Sequence, residues 1–191
     1  MNSTGNHSFI APPPMAAPAE TKDMETDFGL DVAPIVSLKS SDGVIFNLSS
    51  KAAFLSGFIK ASAENDASAN LFDVPQVTSS VLAKVVEYLT YHESKPCGEI
   101  KKPLEYPEFA KNVQDYWDVE YTNIPNSLLF SVIEASNFMD IQPLLNLCCA
   151  KTASMIQGKT PEQIRAEFII VNDFTPEEEA AVRAENKWAE P

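Results

Sequence analysis

The side chains that could do covalent or metal chemistry are few and scattered along the chain. The cysteines are Cys97, Cys148 and Cys149, and the histidines are His7 and His92. A structural zinc site usually shows paired cysteines or histidines at short spacing, and no such pairing occurs here. No nucleophile stands beside a base, and no phosphate-binding loop is present. We therefore predict a protein that is not an enzyme, without catalytic residue, metal or cofactor.

The same residues have simpler interpretations as structural groups. Cys148 and Cys149 fall in an apolar helical pattern, which predicts reduced thiols that fill space in the core. An odd and sparse set of cysteines fits a reducing compartment, which predicts the cytoplasm and the nucleus. His92 follows a predicted helix, where a capping or solvated loop position is the expected role.

Two segments near the end of the chain indicate chemistry of another kind, that of docking. Residues 160–163 (TPEQ) and 175–178 (TPEE) each place a hydroxyl before a proline, with Gln or Glu three positions after it. This is the capping-box pattern, so each segment predicts the start of a helix. Helices of about three turns are marginal alone in water, so both must pack on something. Their apolar side chains can cover the protein's own core or bind a second protein.

Composition narrows the classes of partner. Acidic residues outnumber basic ones by 27 to 14 in 191 residues, which gives a net charge of −13. Phosphate contacts need clustered Lys and Arg, so we expect neither nucleic acid nor an anionic membrane surface as a partner. No apolar run approaches the length of a membrane span, and no secretory signal is visible at the N-terminus.

Residues 1–34 carry a proline run and a mixture of small and acidic residues without periodicity, which predicts a disordered leader. Order begins at Ile35, where alternating apolar residues on both sides of Asp42-Gly43 predict a hairpin with positive φ at both turn residues. Ser49 or Ser50 is then the expected cap of a helix. The further predicted elements are that helix at 52–59, a loop at 63–70, a strand at 71–74, and helices at 79–91, about 108–114, 127–139 and 141–157.

The order of these elements predicts the fold class. Two strands, a helix, a strand and a helix are followed by helices only. We therefore predict an α/β protein of the α+β kind, with a three-stranded sheet flanked by helices and extended by a helical C-terminal half.

Three stretches resemble one known family. They are SSDGVIF at 40–46, EASNFMDIQPLLNLCC at 134–149, and GKTPEQIR…NDFTPEEEAAVRAENKW from 158 to 188. Together they resemble the S-phase kinase-associated (Skp) family, over about residues 35–190. Members of that family bridge F-box proteins to a cullin in Skp–cullin–F-box ubiquitin ligases.

The resemblance implies a domain organisation. A BTB/POZ fold is expected over 35–157, with a variable insertion at about 93–125, and two additional F-box-binding helices over 158–191. Elongin C resembles the same core but lacks the two terminal helices. Relatives often carry a more acidic insertion than this chain, which has Lys95, Lys101 and Lys102 there.

The resemblance also implies an F-box-binding surface on the last four helices. The matching positions are Leu129, Phe130, Leu145, Thr152, Ile156, Ile164, Phe168, Ile170 and Trp188. For each of them, packing inside the protein is the alternative. Thr152 stands where relatives often have valine, and its hydroxyl needs a hydrogen bond when it is buried.

A cullin-binding surface is implied at Ile59, Lys60, Asn137 and Phe138. Relatives usually have tyrosine in place of Phe138, so one hydrogen bond worth about 1 kcal/mol is lost there. Pro143 matches a proline that is hydroxylated and glycosylated in some protist relatives, which makes it a candidate modification site.

The leading hypothesis is a non-enzymatic adaptor that holds an F-box protein on one surface and a cullin on another. A second hypothesis keeps F-box binding without the cullin, as in a kinetochore or another non-ligase assembly. A third is a self-associating BTB module, and a homodimer in the absence of F-box protein is compatible with the first as well.

Overall fold

A computed structural model describes residues 34–66 and 68–189 of the chain. The predicted disordered leader lies, apart from Pro34, outside these residues. The strands are β1 (Ile35–Ser40), β2 (Ile45–Ser49) and β3 (Leu71–Val74). The helices are α1 (Ser50–Ala53), α2 (Gly57–Asn65), α3 (Ser79–His92), α4 (Tyr116–Tyr121), α5 (Asn126–Phe138), α6 (Gln142–Ile156), α7 (Pro161–Phe168) and α8 (Pro176–Glu185). Short 3₁₀ helices span Phe109–Lys111 and Lys187–Ala189.

The three strands form one mixed sheet in the order β2-β1-β3. β1 pairs antiparallel with β2 and parallel with β3. Alternate residues of the sheet point inward, and Leu38 and Val74 are fully buried. The three-stranded sheet flanked by helices confirms the predicted fold class.

The turn between β1 and β2 differs from the expected one. Only Gly43 has a positive φ, 84°, whereas Asp42 does not adopt one. The Gly43 N–H donates to the Ser40 carbonyl, and the Ser40 N–H donates to the Val44 carbonyl. This is a longer turn that ends in a left-handed glycine, so a single positive-φ residue is sufficient.

The helix expected at 52–59 is divided in two. Ser49 caps α1, which ends at Ala53, and Ser56 caps a new helix that continues to Asn65. The loop expected at 63–70 is therefore shorter than predicted. The break follows from a tertiary contact, because the Ser56 hydroxyl also donates to the Met139 carbonyl at 2.5 Å.

The core begins where α3 packs on the sheet and continues between α3, α5 and α6. α5 packs on α6 and on α3, and α3 also contacts β2. Their inner faces include Leu82, Leu89, Val132, Leu144 and Leu147, each without exposed surface. Predicted helix bounds at 79–91, 127–139 and 141–157 agree with α3, α5 and α6 to within one residue at each end.

Cys148 is buried as predicted, but Cys149 is exposed on α6, so its predicted core role is wrong.

The insertion is more ordered than the sequence indicated. The helix expected around 108–114 is a 3₁₀ turn at Phe109–Lys111, and α4 was not predicted as a helix. The Asp115 carboxylate caps α4 through the Trp117 N–H. The Trp117 indole stacks on Tyr91 with ring centroids 3.8 Å apart, so α4 is held against the end of α3.

No helix in the described ranges is both long and apolar enough to cross a membrane.

We predict that Ser56→Ala lowers the free energy of unfolding by about 1–3 kcal/mol, because the Met139 carbonyl loses a buried donor and α2 loses its cap. Urea denaturation followed by circular dichroism measures this loss. Ser62→Ala in the same helix removes a hydroxyl that bonds only to the Phe58 carbonyl. This control should change stability by less than about 0.5 kcal/mol, and an equal loss in both variants would contradict the tertiary role of Ser56.

We also predict an acid-sensitive contribution from Asp115. The Lys95 ammonium, then the Trp117 N–H and the Tyr91 hydroxyl, lower the pKa of Asp115 to about 2. An unfolded aspartate titrates near about 3.9, so this stabilisation is present above about pH 4 and is lost as the pH falls towards 2. Asp115→Asn should therefore flatten the fall in melting temperature between about pH 4 and pH 2. Asp73→Asn, which removes an exposed carboxylate paired with Lys39, should keep the parent's acid dependence.

Candidate functional site

The two terminal helices begin as their sequences predict. Thr160 caps α7 and Thr175 caps α8, and in both cases the reciprocal capping box is complete. The Thr175 N–H donates to the Glu178 carboxylate at 2.9 Å, and this bond lowers the pKa of Glu178. Each cap fixes where its helix starts, and so fixes which side chains face outward.

α7 docks on α5 through a small contact. The Phe130 and Phe168 rings lie with their centroids 5.5 Å apart, and the Asn126 side chain donates to the Glu167 carbonyl at 3.2 Å. Lys159 pairs with the Glu167 carboxylate at 2.9 Å. Neither α7 nor α8 has a buried residue, so both lie on the surface of the domain.

α8 is held to α7 by charged groups. Arg183 contacts the Glu162 carboxylate at 2.5 Å, and Arg165 lies 3.6 Å from the Glu179 carboxylate. The Arg165 guanidinium also lies over the Phe174 ring, 6.0 Å from its centroid. These partly or fully exposed contacts fix a geometry but contribute little free energy each.

A set of exposed apolar side chains lies on α5, α6 and α8 and on the segments that follow α7 and α8. We call it the tail surface, and it comprises Phe130, Ile156, Ile169, Ile170, Val171, Phe174, Val182 and Trp188. The large side chain of Trp188 is 83% exposed. Exposed apolar groups in this number, contributed by neighbouring segments of the chain, are typical of a protein-binding surface.

The structure places most predicted F-box-binding residues on or beside the tail surface. Phe130, Ile156, Ile170 and Trp188 are exposed, and Leu145, Thr152, Ile164 and Phe168 are partly exposed. Leu129 is 1% exposed, so it packs in the core and offers a partner no surface in this conformation. The Thr152 hydroxyl donates to the Cys148 carbonyl one turn earlier, which satisfies its need for a hydrogen bond. Val171 was not among the predicted F-box-binding residues, although it is exposed and directly follows Ile169 and Ile170.

A second surface lies where α2 begins and α5 ends. We call it the α2–α5 corner, and it comprises Phe58, Lys60, Asn137 and Phe138. The Phe58 and Phe138 rings lie 5.1 Å apart between centroids, while Lys60 and Asn137 are exposed. Phe138, Asn137, Glu134 and Ser131 also line a groove of about 530 Å³ beside the start of α3. Ile59, another predicted cullin-binding residue, is 0% exposed. It therefore packs beneath the α2–α5 corner and offers a partner no surface in this conformation.

Comparison with known proteins identifies the family. A family model described as the Skp1 family, tetramerisation domain, matches residues 34–94, and one described as the Skp1 family, dimerisation domain, matches residues 142–189. SKP1-like protein 4 of Arabidopsis thaliana is 41% identical over 172 residues, which cover 90% of this chain and 98% of that protein. The chain belongs to the Skp1 family.

Other relatives lead to the same family. The SCF ubiquitin ligase complex protein SKP1a of Dictyostelium discoideum is 40% identical over 161 residues, covering 82% of this chain and 96% of that protein. The E3 ubiquitin ligase complex SCF subunit sconC of Arthroderma otae is 38% identical over 156 residues, covering 81% and 94%. The predicted family and its POZ fold are thereby confirmed.

Pro143 occupies the first turn of α6 in this Skp1-family chain, where proline is tolerated. It is exposed and borders a surface cavity together with Lys102 and Asn146, whose side chains are hydrogen-bonded at 2.7 Å. Its ring is therefore accessible, and its modification remains a prediction.

We predict that Phe168→Ala loosens α7 from α5, because the ring pair with Phe130 contributes about 0.5–1.5 kcal/mol. Amide hydrogen exchange in residues 161–185 should accelerate by up to about tenfold, while exchange in α3 stays unchanged. Val171→Ala, which removes an exposed apolar side chain of the same surface, is the matched control. Equal protection of 161–185 in all three proteins would show that the ring pair does not hold the tail.

Proposed function

We propose that this protein is the adaptor subunit of a Skp–cullin–F-box E3 ubiquitin ligase, which links a substrate-recruiting F-box protein to the cullin scaffold. The observation that carries the proposal is the tail surface. Val182 of α8, Trp188 and the apolar residues 169–171 that follow α7 are exposed in the isolated chain, as a docking surface requires. Two relatives, SKP1a and sconC, are themselves named as components of SCF ubiquitin ligase complexes.

The tail surface has the composition of an interface hot spot. Phe130 and Trp188, with Phe168 packed beside Phe130, provide aromatic anchors, and the Trp188 indole N–H can orient a partner. Exposed isoleucine and valine side chains also lie at the end of α6 and directly after α7. An amphipathic helical partner such as an F-box domain could bury these groups together.

The α2–α5 corner is the proposed cullin site. Phe130 lies near the start of α5 and Asn137 near its end, seven positions later. A helix rises about 1.5 Å per residue, so the two proposed surfaces are displaced by about 10 Å along one rigid helix. An F-box protein and a cullin can therefore bind at the same time without competing for residues.

Such an adaptor acts by positioning and carries no catalytic group of its own. Holding substrate and ligase on one rigid body raises their effective concentration and fixes their mutual orientation. The expected site of action is the cytoplasm and the nucleus, which agrees with Cys97, Cys148 and Cys149 remaining free thiols.

Self-association through the tail surface is a second proposed state of the free chain. The apolar groups that would bind an F-box protein can also bind a second copy. The match of residues 142–189 to the dimerisation domain of the Skp1 family supports this state. F-box protein should then dissociate the homodimer, because both use the same groups. No observation favours a kinetochore assembly or a BTB module without F-box binding.

We predict that two single substitutions separate the proposed surfaces. Trp188→Ala should weaken binding of a purified F-box domain by at least about tenfold and leave cullin affinity unchanged, because truncating an interface tryptophan costs about 2 kcal/mol or more. Asn137→Ala should weaken binding of a cullin N-terminal domain and leave F-box affinity unchanged. Calorimetry or surface plasmon resonance on the full chain measures both affinities.

Ile45→Ala is the matched control, since Ile45 is an exposed apolar residue on β2, outside both surfaces. It should change neither affinity. Binding of the F-box domain without any binding of cullin would favour the non-ligase hypothesis. If neither protein binds the parent chain, the adaptor proposal fails.

A further inference from the structure

Three side chains with metal-binding atoms meet at the end of α3. His92 is the last residue of that helix, Cys97 lies in the following segment, and Asp118 lies in α4. Their ligand atoms all lie within 4.8 Å of one another. His92 and Asp118 are buried and Cys97 is half-buried, so the expectation that His92 is a cap or a solvated residue is wrong. We call these three residues the His92 cluster.

The distances within the cluster suit a small cation. His92 Nε2 lies 2.9 Å from Asp118 Oδ1, and Cys97 Sγ lies 3.9 Å from Asp118 Oδ2. A zinc ion binds nitrogen and oxygen ligands at about 2.0–2.2 Å and sulfur at about 2.3 Å, so atoms at these separations can share one ion after small side-chain rotations. Imidazole, thiolate and carboxylate together favour zinc or cobalt over magnesium or calcium.

The second nitrogen of His92 is already oriented for this role. His92 Nδ1 lies 2.7 Å from the Lys95 carbonyl oxygen. A carbonyl only accepts, so Nδ1 must carry the hydrogen, and a neutral ring then directs the Nε2 lone pair at Asp118. The carboxylate is also an acceptor, so the pair requires either an additional proton or a cation between them. A carbonyl that fixes the tautomer in this way is the usual companion of a metal-binding histidine.

An independent observation comes from Tyr88. Its hydroxyl is buried, with the side chain 2% exposed, and is the single buried side-chain polar atom without a hydrogen-bond partner in the described ranges. Burial, and then the neighbouring Cys97 thiol and Asp118 carboxylate, raise the pKa of Tyr88. The hydroxyl thus lies beside the Cys97 thiol without a well-formed hydrogen bond to it, so it is a buried polar group that a bound ion could satisfy.

We propose that the His92 cluster is a binding site for a zinc-class divalent cation, coordinated by His92 Nε2, Cys97 Sγ and the Asp118 carboxylate. A metal-bound cysteine is a thiolate, so binding releases the Cys97 thiol proton to solvent. The ion tethers the segment after α3 to α4, and therefore stabilises the folded insertion.

The site can be reached from solvent. Cys97 lines a surface cavity of about 420 Å³ together with residues 98–102. On the inner side, the rings of Tyr88, Tyr91 and Trp117 lie 4.2–5.6 Å from the His92 ring between centroids and exclude water. This arrangement departs from the sequence-based expectation of no metal, because three residues from separate segments leave no motif of short spacing.

The test is a Co²⁺ titration of the full chain, purified under reducing conditions and freed of metal with a chelator. The parent should bind one equivalent, with a thiolate-to-cobalt charge-transfer band and the visible bands of tetrahedral cobalt, and Zn²⁺ should displace it. Cys97→Ser should abolish the charge-transfer band and weaken binding by at least about 100-fold. Cys149→Ser and His7→Ala, which change an exposed thiol and the other histidine, should leave the band unchanged.

Two further measurements keep the outcome decisive. Metal-free Cys97→Ser should melt at the temperature of the metal-free parent, so a lost band then reports coordination and not misfolding. Zn²⁺ should protect Cys97 in the parent from alkylation, as read by mass spectrometry, and leave Cys149 reactive. Absence of a stoichiometric band in the parent, or persistence of that band in Cys97→Ser, would overturn the proposal.

Discussion

The arrangement of the domain depends on how the start of α2 meets the end of α5. A helix start has free N–H groups and a helix end has free carbonyls, and here each satisfies the other. The Gly57 and Phe58 N–H groups donate to the Asp140 and Met139 carbonyls at 3.0 and 3.2 Å, and the Ser56 hydroxyl adds a third bond. The positive end of one helix dipole thus faces the negative end of another.

This contact also explains a glycine. A Cβ at Gly57 would lie 2.1 Å from an Asp140 carboxylate oxygen, so any larger residue would have to displace the Asp140 side chain. Asp140 itself has a φ of 51°, which turns the chain sharply from α5 into α6. The orientation of α6, and with it the face on which the tail surface is built, therefore follows from a junction far from the tail.

Local signals were sufficient wherever the residues that determine an element lie within it. Thr160 and Thr175 carry their own capping partners three residues away, so both helix starts were predictable. The break between α1 and α2 was not predictable, because Ser56 finds its second partner 83 residues later. Likewise, His92 depends on Asp118, 26 residues away, and nothing beside His92 in the sequence indicates that it is buried. The F-box-binding positions came from family resemblance, and only burial separates Leu129 from Phe130.

α8 is held to α7 mainly by charge, and this has a consequence for affinity. Arg183, Glu162, Arg165 and Glu179 are at least partly exposed, and ion pairs of this kind weaken as dissolved salt shortens the range of their attraction. A partner that binds α7 and α8 in one fixed arrangement must then order them. The entropy cost of this ordering is offset by the free energy of the partner's own contacts. Ionic strength would thus change the observed binding free energy even for a partner whose contact residues are uncharged.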